Sequence, residues 1–144
     1  MGGHQAGPSL ARRGGRVRGI VDTSVVIAAE QRRPLDESRV PDQPAISMVT
    51  LAELELGVHL AHDEAQRAER SDTFERAQAD YIAVPIDTSV AAAYAEIVAA
   101  ARRRGRRPPV QDMWIAATAK AHAVSVYTQD GDFDEADGVD VVRV

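Results

Sequence analysis

The sequence contains no cysteine and a single lysine. Without cysteine among its 144 residues, the chain cannot form disulfides, bind an iron–sulfur cluster or use a thiol as a nucleophile. Any metal ion must therefore be bound by oxygen ligands or by the four histidines. Because Lys120 is the only lysine, nearly all positive charge comes from arginine.

Long apolar runs are also missing. No run approaches the roughly 20 residues that span a bilayer, and the N-terminus lacks the uninterrupted apolar core of a signal peptide. A content of 44% hydrophobic and 27% charged residues is typical of one globular domain. We expect a cytoplasmic protein without membrane contact.

Positive charge is outnumbered by negative charge. The net charge of -5 argues against a protein that holds nucleic acid by bulk electrostatics, because phosphate contacts need a positive surface. The net charge does not exclude nucleic-acid binding, since acids gathered at a metal site would be offset by bound cations while arginines elsewhere contact phosphate.

A basic segment precedes the regular part of the chain. Residues 1–18 are rich in Gly, Pro, Ser and Arg without an apolar period, which predicts a disordered leader or an upstream start site before a single domain over residues 19–144. In that domain, short β-branched runs predict strands and 3.6-residue periods predict helices. Strands are predicted at residues 19–21, 45–48, 81–86, 124–128 and 139–144, and helices at 25–29, 49–62, 63–80, 89–104 and 110–123. The fold class is therefore α/β.

Asp22 follows the first predicted strand directly. In open α/β sheets the ligand crevice lies outside the carboxyl ends of the strands, which favours a chemical role for this acid. A capping or turn role explains an Asp there equally well, and Thr23 or Ser24 is placed to cap the next helix. The same tetrapeptide, Asp-Thr-Ser-Val, recurs at residues 87–90, where Asp87 is explained as a helix N-cap. Local pattern alone does not select between the two copies.

Glu53 lies on or beside an apolar stripe of its predicted helix. The stripe consists of Val49, Ala52, Leu56 and Leu60. A carboxylate facing the core is costly unless it is paired or bound to metal, although a glutamate at the edge of a stripe can also extend to water. Glu55 shares the opposite face with His59 and His62, whose spacing is weak evidence for zinc and favours a solvated face.

Three further acids have similar alternatives. Asp112 lies in the first turn of its helix, where a carboxylate is favoured electrostatically, yet the spacing to Ile115 and Ala116 places it on the buried face. Asp130 and Asp132 follow the fourth predicted strand. Their Asp-Gly-Asp pattern resembles part of a calcium loop, but the other ligand positions of an EF-hand do not follow.

Arginines cluster between the last two predicted helices. Five occur within six residues: Arg102, Arg103, Arg104, Arg106 and Arg107. Positive charge at a helix C-terminus complements the helix dipole and explains two or three of them. The excess predicts contact with phosphate as readily as it predicts a solvated helix end.

Together the acids predict a site for a hard cation. Carboxylates held close together repel each other, so a site that collects them normally binds Mg²⁺ or Mn²⁺ through oxygen. Such ions activate water and stabilise the leaving oxygen of a phosphodiester, so hydrolysis of nucleic acid is the favoured reaction. Haloacid-dehalogenase-like and receiver-domain interpretations fit poorly, because position 24 is Ser and Lys120 lies within a helix.

Four motifs in order carry a family resemblance. The chain from Gly19 to Val144 resembles the PIN-domain ribonucleases, and most of all the VapC toxins of bacterial toxin–antitoxin pairs. The motifs are Val21-Asp22-Thr23-Ser24, Leu51-Ala52-Glu53-Leu54-Glu55-Leu56-Gly57, Asp112-Met113-Trp114-Ile115-Ala116-Ala117 and Thr128-Gln129-Asp130-Gly131-Asp132-Phe133. The resemblance implies a three-layer α/β/α fold with a central parallel sheet, Mg²⁺-dependent RNA cleavage, a homodimer and inhibition by a VapB-type antitoxin.

The resemblance also implies roles for individual residues. The three core family acids correspond to Asp22, Glu53 and Asp112, and the less uniform fourth region to Asp130 and Asp132. It selects Asp22 over Asp87 and Glu53 over Glu55, and it makes Thr23, Ser24 and Thr128 supporting hydroxyls. In the implied reaction, Mg²⁺ bound by Asp22 and Asp112 activates a water, and Glu53 orients that water or holds a second ion. The alternative is a non-catalytic PIN-like module that binds RNA or an antitoxin.

Overall fold

A parallel five-stranded sheet is the centre of the described structure. The structure is a computed structural model, and it describes residues 17–131 and 133–144. The strands are β1 (Ile20–Val21), β2 (Ala45–Ser47), β3 (Ile82–Val84), β4 (Val126–Thr128) and β5 (Val141–Arg143). Their order in the sheet is β3-β2-β1-β4-β5, and every neighbouring pair is parallel. The earliest strand therefore lies between β2 and β4.

Helices cover both faces of this sheet. They are α1 (Thr23–Val26), α2 (Met48–His59), α3 (Glu64–Asp80), α4 (Thr88–Arg103) and α5 (Val110–Ala121), with a single 3-10 turn at Glu37–Arg39. Ile20 packs in one apolar cluster with residues of α4 and α5, whereas Val21 packs in a second cluster with residues of α1, α2 and α3. Successive strand residues point to opposite faces, so the predicted three-layer α/β/α fold is confirmed.

The predicted elements are present, with different ends. The fourth strand begins at Val126 rather than residue 124, and the fifth at Val141 rather than residue 139, because each strand extends only as far as its register with the neighbouring strand. Helix α1 begins at Thr23 rather than residue 25, and α2 ends at His59 instead of residue 62. Ser47 caps α2 by accepting a hydrogen bond from the main-chain N–H of Val49 at 3.1 Å.

The buried face of α2 differs from the predicted one. Thr50 and Leu54 face the interior, whereas Leu56 is 56% and Leu60 is 62% exposed. The helix packs on α1 and α3, and this contact rotates its buried face away from the stripe that the sequence indicated. The predicted stripe is therefore wrong as a core face, although Val49 does pack against the core.

Val17 is part of the packed core. That residue is 7% exposed and packs in the cluster with α4 and α5, although it falls in the predicted leader. Residues 1–16 of that leader lie outside the described residues. Among the helices of the described ranges, none combines the length and the apolar character that crossing a bilayer requires.

Candidate active site

Asp22 lies between β1 and α1, at the carboxyl end of the central strand. Its side chain is 2% exposed, and its Oδ2 accepts hydrogen bonds from Ser24 Oγ at 2.7 Å and Thr128 Oγ1 at 2.9 Å. The carboxylate makes no capping bond to α1. Its side chain accepts from a serine hydroxyl of α1 and from a threonine on the neighbouring strand β4, and from no main-chain N–H of α1, so the capping interpretation of Asp22 is wrong.

The two hydroxyls also hold the acid-rich loop that follows β4. Ser24 Oγ accepts from the main-chain N–H of Gln129 at 3.1 Å, and Thr128 Oγ1 accepts from that of Asp130 at 2.9 Å. Each hydroxyl thus donates to Asp22 and accepts from the loop. Ser24 and Thr128 therefore fix the position of this loop relative to the Asp22 carboxylate, and the predicted capping role of Ser24 is wrong.

A second chain of hydroxyls reaches Glu53. Thr23 Oγ1 donates to Glu53 Oε1 at 2.7 Å and lies 3.0 Å from Thr50 Oγ1. A threonine hydroxyl has one proton, and Thr23 gives its proton to the carboxylate, so Thr50 is the donor in the Thr50–Thr23 contact. Neither Thr23 nor Ser24 caps α1, contrary to the sequence prediction. Thr50 is fully buried and orients Thr23.

The electrostatic state of Glu53 reflects its neighbours. Burial raises the pKa of Glu53 above its ordinary value of 4.5, the hydrogen bond from Thr23 opposes this shift, and the negative charge of Asp22 adds to it. Two carboxylates therefore lie close enough to repel. Repulsion of this kind is relieved when a cation binds between them.

Sequence reasoning missed Thr50. It lies three residues before Glu53 on α2, and residues at that spacing share one face of a helix. A threonine at this spacing from the suspected acid was the available signal.

Asp112 and Asp130 lie on elements that meet at this end of the sheet. Asp112 is partly buried in the first turn of α5, and α5 packs against β1, β4 and α2. Asp132 lies outside the described residues. Across residues 17–131 and 133–144, no three His, Asp or Glu side chains lie close enough together to hold a metal ion. Convergence of all five acids on one ion therefore stays a prediction.

The donor set nevertheless fits a hard cation. The Ser24 and Thr128 hydroxyls donate to Asp22 Oδ2, and the Thr23 hydroxyl donates to Glu53 Oε1. Each carboxylate has a second oxygen besides the one that accepts these bonds. Carboxylate oxygens are the ligands that Mg²⁺ and Mn²⁺ prefer.

The other candidates from the sequence have structural roles. Asp87 is exposed and caps α4, because its Oδ1 accepts from the main-chain N–H of Val90 at 3.0 Å and from Ser89 Oγ at 2.7 Å. The bond from Ser89, followed by that from Val90, lowers the pKa of Asp87 below its ordinary value of 3.8. His59 and His62 are both exposed, and no metal-binding group forms around them in the described part of the chain.

The arginine cluster spans the last turn of α4 and the residues after it, and it contacts the segment beyond the acid-rich loop. Arg104 and Arg106 lie 3.4 and 3.9 Å from the carboxylate oxygens of Glu135. Arg102, Arg106 and Arg107 also line a cavity of about 140 Å³ beside Tyr94 and Met113. The remaining member, Arg103, is exposed on the last turn of α4.

Comparisons with known proteins agree with this architecture. A family model described as PIN domain matches residues 19–139. The chain is 43% identical to a protein of Mycobacterium tuberculosis named Ribonuclease VapC5, over 88% of this chain and 95% of that protein.

Solved structures give the same result. The VapBC-5 toxin–antitoxin structure from M. tuberculosis matches with a TM-score of 0.80 and 41% identity, covering 89% of this chain and 99% of that one. The FitAcB structure from Neisseria gonorrhoeae matches with a TM-score of 0.70 and 31% identity, over 85% and 95% of the two chains. The chain belongs to the PIN-domain family, within the group that contains the VapC proteins.

Proposed function

We propose that this protein is an endoribonuclease toxin of the VapC type that hydrolyses RNA with Mg²⁺ or Mn²⁺. The observation that carries the proposal is the buried Asp22 carboxylate, held by two hydroxyls at the sheet edge beside Glu53. The relatives named ribonuclease support the same reaction. Such an enzyme acts in the cytoplasm, where its RNA substrates are.

The carboxylates would hold the cation and orient the attacking water. We assign the ion to Asp22 and Asp112, with Asp130 and Asp132 completing the acidic rim. A bound Mg²⁺ or Mn²⁺ supplies Lewis-acid stabilisation of the phosphoryl oxygens and lowers the pKa of water. Glu53 would orient that water or hold a second ion, and the hydrogen bond from Thr23 fixes its carboxylate for either role.

The hydroxyls keep these carboxylates in place. Ser24 and Thr128 fix Asp22, and Thr23, oriented by Thr50, fixes Glu53. Catalytic groups are effective only when they are held in a narrow range of positions. The polar network thus supplies the preorganisation that a small metal site needs.

The arginine cluster is proposed to contact the RNA backbone. Arg102, Arg103 and Arg107 form no ion pair with a carboxylate of the described residues, whereas Arg104 and Arg106 share Glu135. Replacing both Arg106 and Arg107 with Ala should weaken binding of all RNA sequences similarly and flatten the dependence on salt. If the salt dependence equals that of wild type, the cluster stabilises the end of the helix and does not contact the RNA backbone.

An antitoxin partner follows from the relatives. The M. tuberculosis structure is described as a member of the VapBC family of toxin–antitoxin systems. We propose that a VapB-type antitoxin neutralises this protein and that the toxin itself forms a homodimer. Co-expression with the antitoxin encoded beside this gene should abolish RNA cleavage by the purified complex.

Cleavage by the purified protein separates the two candidate functions. Total cellular RNA incubated with the protein should be cut when Mg²⁺ or Mn²⁺ is present and should stay intact in EDTA. The alternative, a non-catalytic module, requires RNA binding without any metal-dependent cleavage. Mapping the cut ends would then identify the RNA target.

A further inference from the structure

A depression of about 340 Å³ lies beside the Asp22 network. It is lined by Arg33, Pro34, Gln129, Arg143 and Val144. Arg33 Nη2 donates to the carbonyl of Ser24 at 3.1 Å, and the main-chain N–H of Gln129 donates to Ser24 Oγ at 3.1 Å. These two hydrogen bonds therefore connect the depression to Ser24, which donates to Asp22.

Two buried polar atoms belong to residues of this depression and have no partner. They are Arg33 Nε and Gln129 Oε1, which make no hydrogen bond with any described residue. Leaving a buried donor or acceptor unpaired destabilises a fold. Both atoms are closed to solvent in this structure, so a ligand in the depression pairs with them only when the Arg33 and Gln129 side chains rotate toward it.

The second arginine approaches from β5. Arg143 is in register with Thr128 of β4, and its Nη2 would lie 3.2 Å from a Cβ placed on Gly131 of the acid-rich loop. Neither Arg33 nor Arg143 forms an ion pair with a carboxylate of the described residues, whereas Arg67, Arg76, Arg104 and Arg106 all do. Two guanidinium groups that have no ion-pair partner in the described part of the chain thus line one depression at the candidate site.

We propose that this depression binds one nucleotide of the RNA strand next to the bond that is cleaved. Its phosphate lies between the guanidinium groups of Arg33 and Arg143, because planar guanidinium groups match phosphate oxygens well. The ribose 2′-hydroxyl donates to Gln129 Oε1. The inference rests on the proposed ribonuclease function and names the substrate contact that orients the strand over Asp22.

The test measures RNA binding separately from cleavage. A fluorescein-labelled single-stranded RNA of about ten nucleotides is titrated in EDTA, which stops cleavage and removes Mg²⁺ as a competitor for phosphate. Charge-assisted hydrogen bonds contribute roughly 1.5–3 kcal/mol, so Arg143→Ala should weaken binding by about tenfold or more. The slope of log K against log salt should also fall by about 0.7, the value for one phosphate of a single strand.

Matched variants control for charge and folding. Arg39→Ala removes the same charge from an exposed arginine that does not line the depression, and should leave both affinity and slope near wild type. Arg143→Lys should restore part of the slope, and thermal melts confirm that each variant is folded. If Arg143→Ala matches Arg39→Ala, the depression is not an RNA site, and an acidic protein partner becomes its occupant.

Gln129 gives a second measurement. Gln129→Leu should reduce the preference of the protein for RNA over DNA of the same sequence, because the contact to the 2′-hydroxyl is lost. The variant also loses the hydrogen bond from Gln129 Nε2 to the Pro34 carbonyl at 2.7 Å, but that loss affects RNA and DNA alike. An unchanged preference overturns this part of the assignment. If the wild-type protein cleaves RNA and Arg143→Ala binds RNA as tightly as wild type, the assignment of the depression as an RNA site is wrong and the proposed function stands. If the wild-type protein binds RNA but shows no metal-dependent cleavage, the proposed function is wrong.

Discussion

Two copies of Asp-Thr-Ser-Val in this chain have the same local geometry and different surroundings. In both, the serine donates to the aspartate two residues before it at 2.7 Å. Asp87 is exposed, and it accepts its other hydrogen bond from a main-chain N–H in the first turn of α4. Asp22 is buried, makes no capping bond, and accepts from Thr128 on a neighbouring strand.

The position of each copy in the sheet explains this difference. Asp22 follows β1, which lies between β2 and β4, so the residues at the end of β4 can reach it. Asp87 follows the edge strand β3 and is separated from it by Pro85 and Ile86. The neighbouring strand β4, rather than the tetrapeptide, thus makes Asp22 a candidate metal ligand.

Exchange of the carboxylates for amides should give the largest difference between the copies. Asp22→Asn should reduce metal-dependent RNA cleavage below detection, since the proposed ion loses a negatively charged ligand. Asp87→Asn should cleave at close to the wild-type rate. Cleavage assays with Mg²⁺ and Mn²⁺ on both proteins decide the matter, and activity that survives in Asp22→Asn but not in Asp87→Asn would reverse the assignment.

The threonines should show an intermediate effect. Thr23→Val removes the donor to Glu53 and should weaken Mn²⁺ binding by about tenfold, the lower range for residues that orient metal ligands. Thr88→Val changes an exposed residue at the matching position and should leave Mn²⁺ binding unchanged. Isothermal titration of Mn²⁺ measures both, and Thr23→Ser should restore most of the affinity if the hydroxyl is what matters.

The smallest expected effect is on stability, with opposite signs for the two regions. The folded state raises the pKa of Glu53 above 4.5, so the folded protein binds more protons than the unfolded one and loses stability as pH rises through the raised pKa. Metal-free Glu53→Gln should therefore melt a few degrees above wild type at neutral pH, and the difference should vanish below pH 4.5.

Asp87 should show the reverse. Its pKa is lowered from 3.8 in the folded state, so its stabilising contribution is present above pH 3.8 and is lost as pH falls through the lower pKa. Asp87→Asn should thus melt slightly below wild type at neutral pH, with a shrinking difference in acid. Thermal melts in EDTA across this range test both signs, and variants that shift in the same direction would contradict the contrast.

Much of the fold was predictable because it depends on local pattern. β-branched runs predicted the five strands, and Asp87 was predicted as a cap from its position before a helical period. The buried face of α2 was not predictable, because Leu56 and Leu60 fit an apolar stripe as well as Leu54 does. Only the packing of α2 on α1 and α3 selects the face that carries Thr50 and Leu54.

The acids of the candidate site were predictable from the sequence, but the hydrogen bonds that hold them were not. An acid after a strand and an acid on an apolar helix face are visible in sequence. The contacts that join Thr50 to Thr23, or Arg33 to Ser24, depend on where a loop and a helix meet. Arg143 has no periodic or compositional signal, and only the pairing of β5 with β4 brings it to the site.

The position of β1 in the middle of the sheet also bears on how the protein is made. Thr128 follows Asp22 by 106 residues, so a growing chain contains the acid long before the strand that holds it exists. Contacts between such distant residues form late, because closing a long stretch of chain costs entropy. A translation product that stops before β4 has Asp22 and Ser24 but lacks Thr128 and the acid-rich loop. Such a product lacks groups that the proposed RNA cleavage requires.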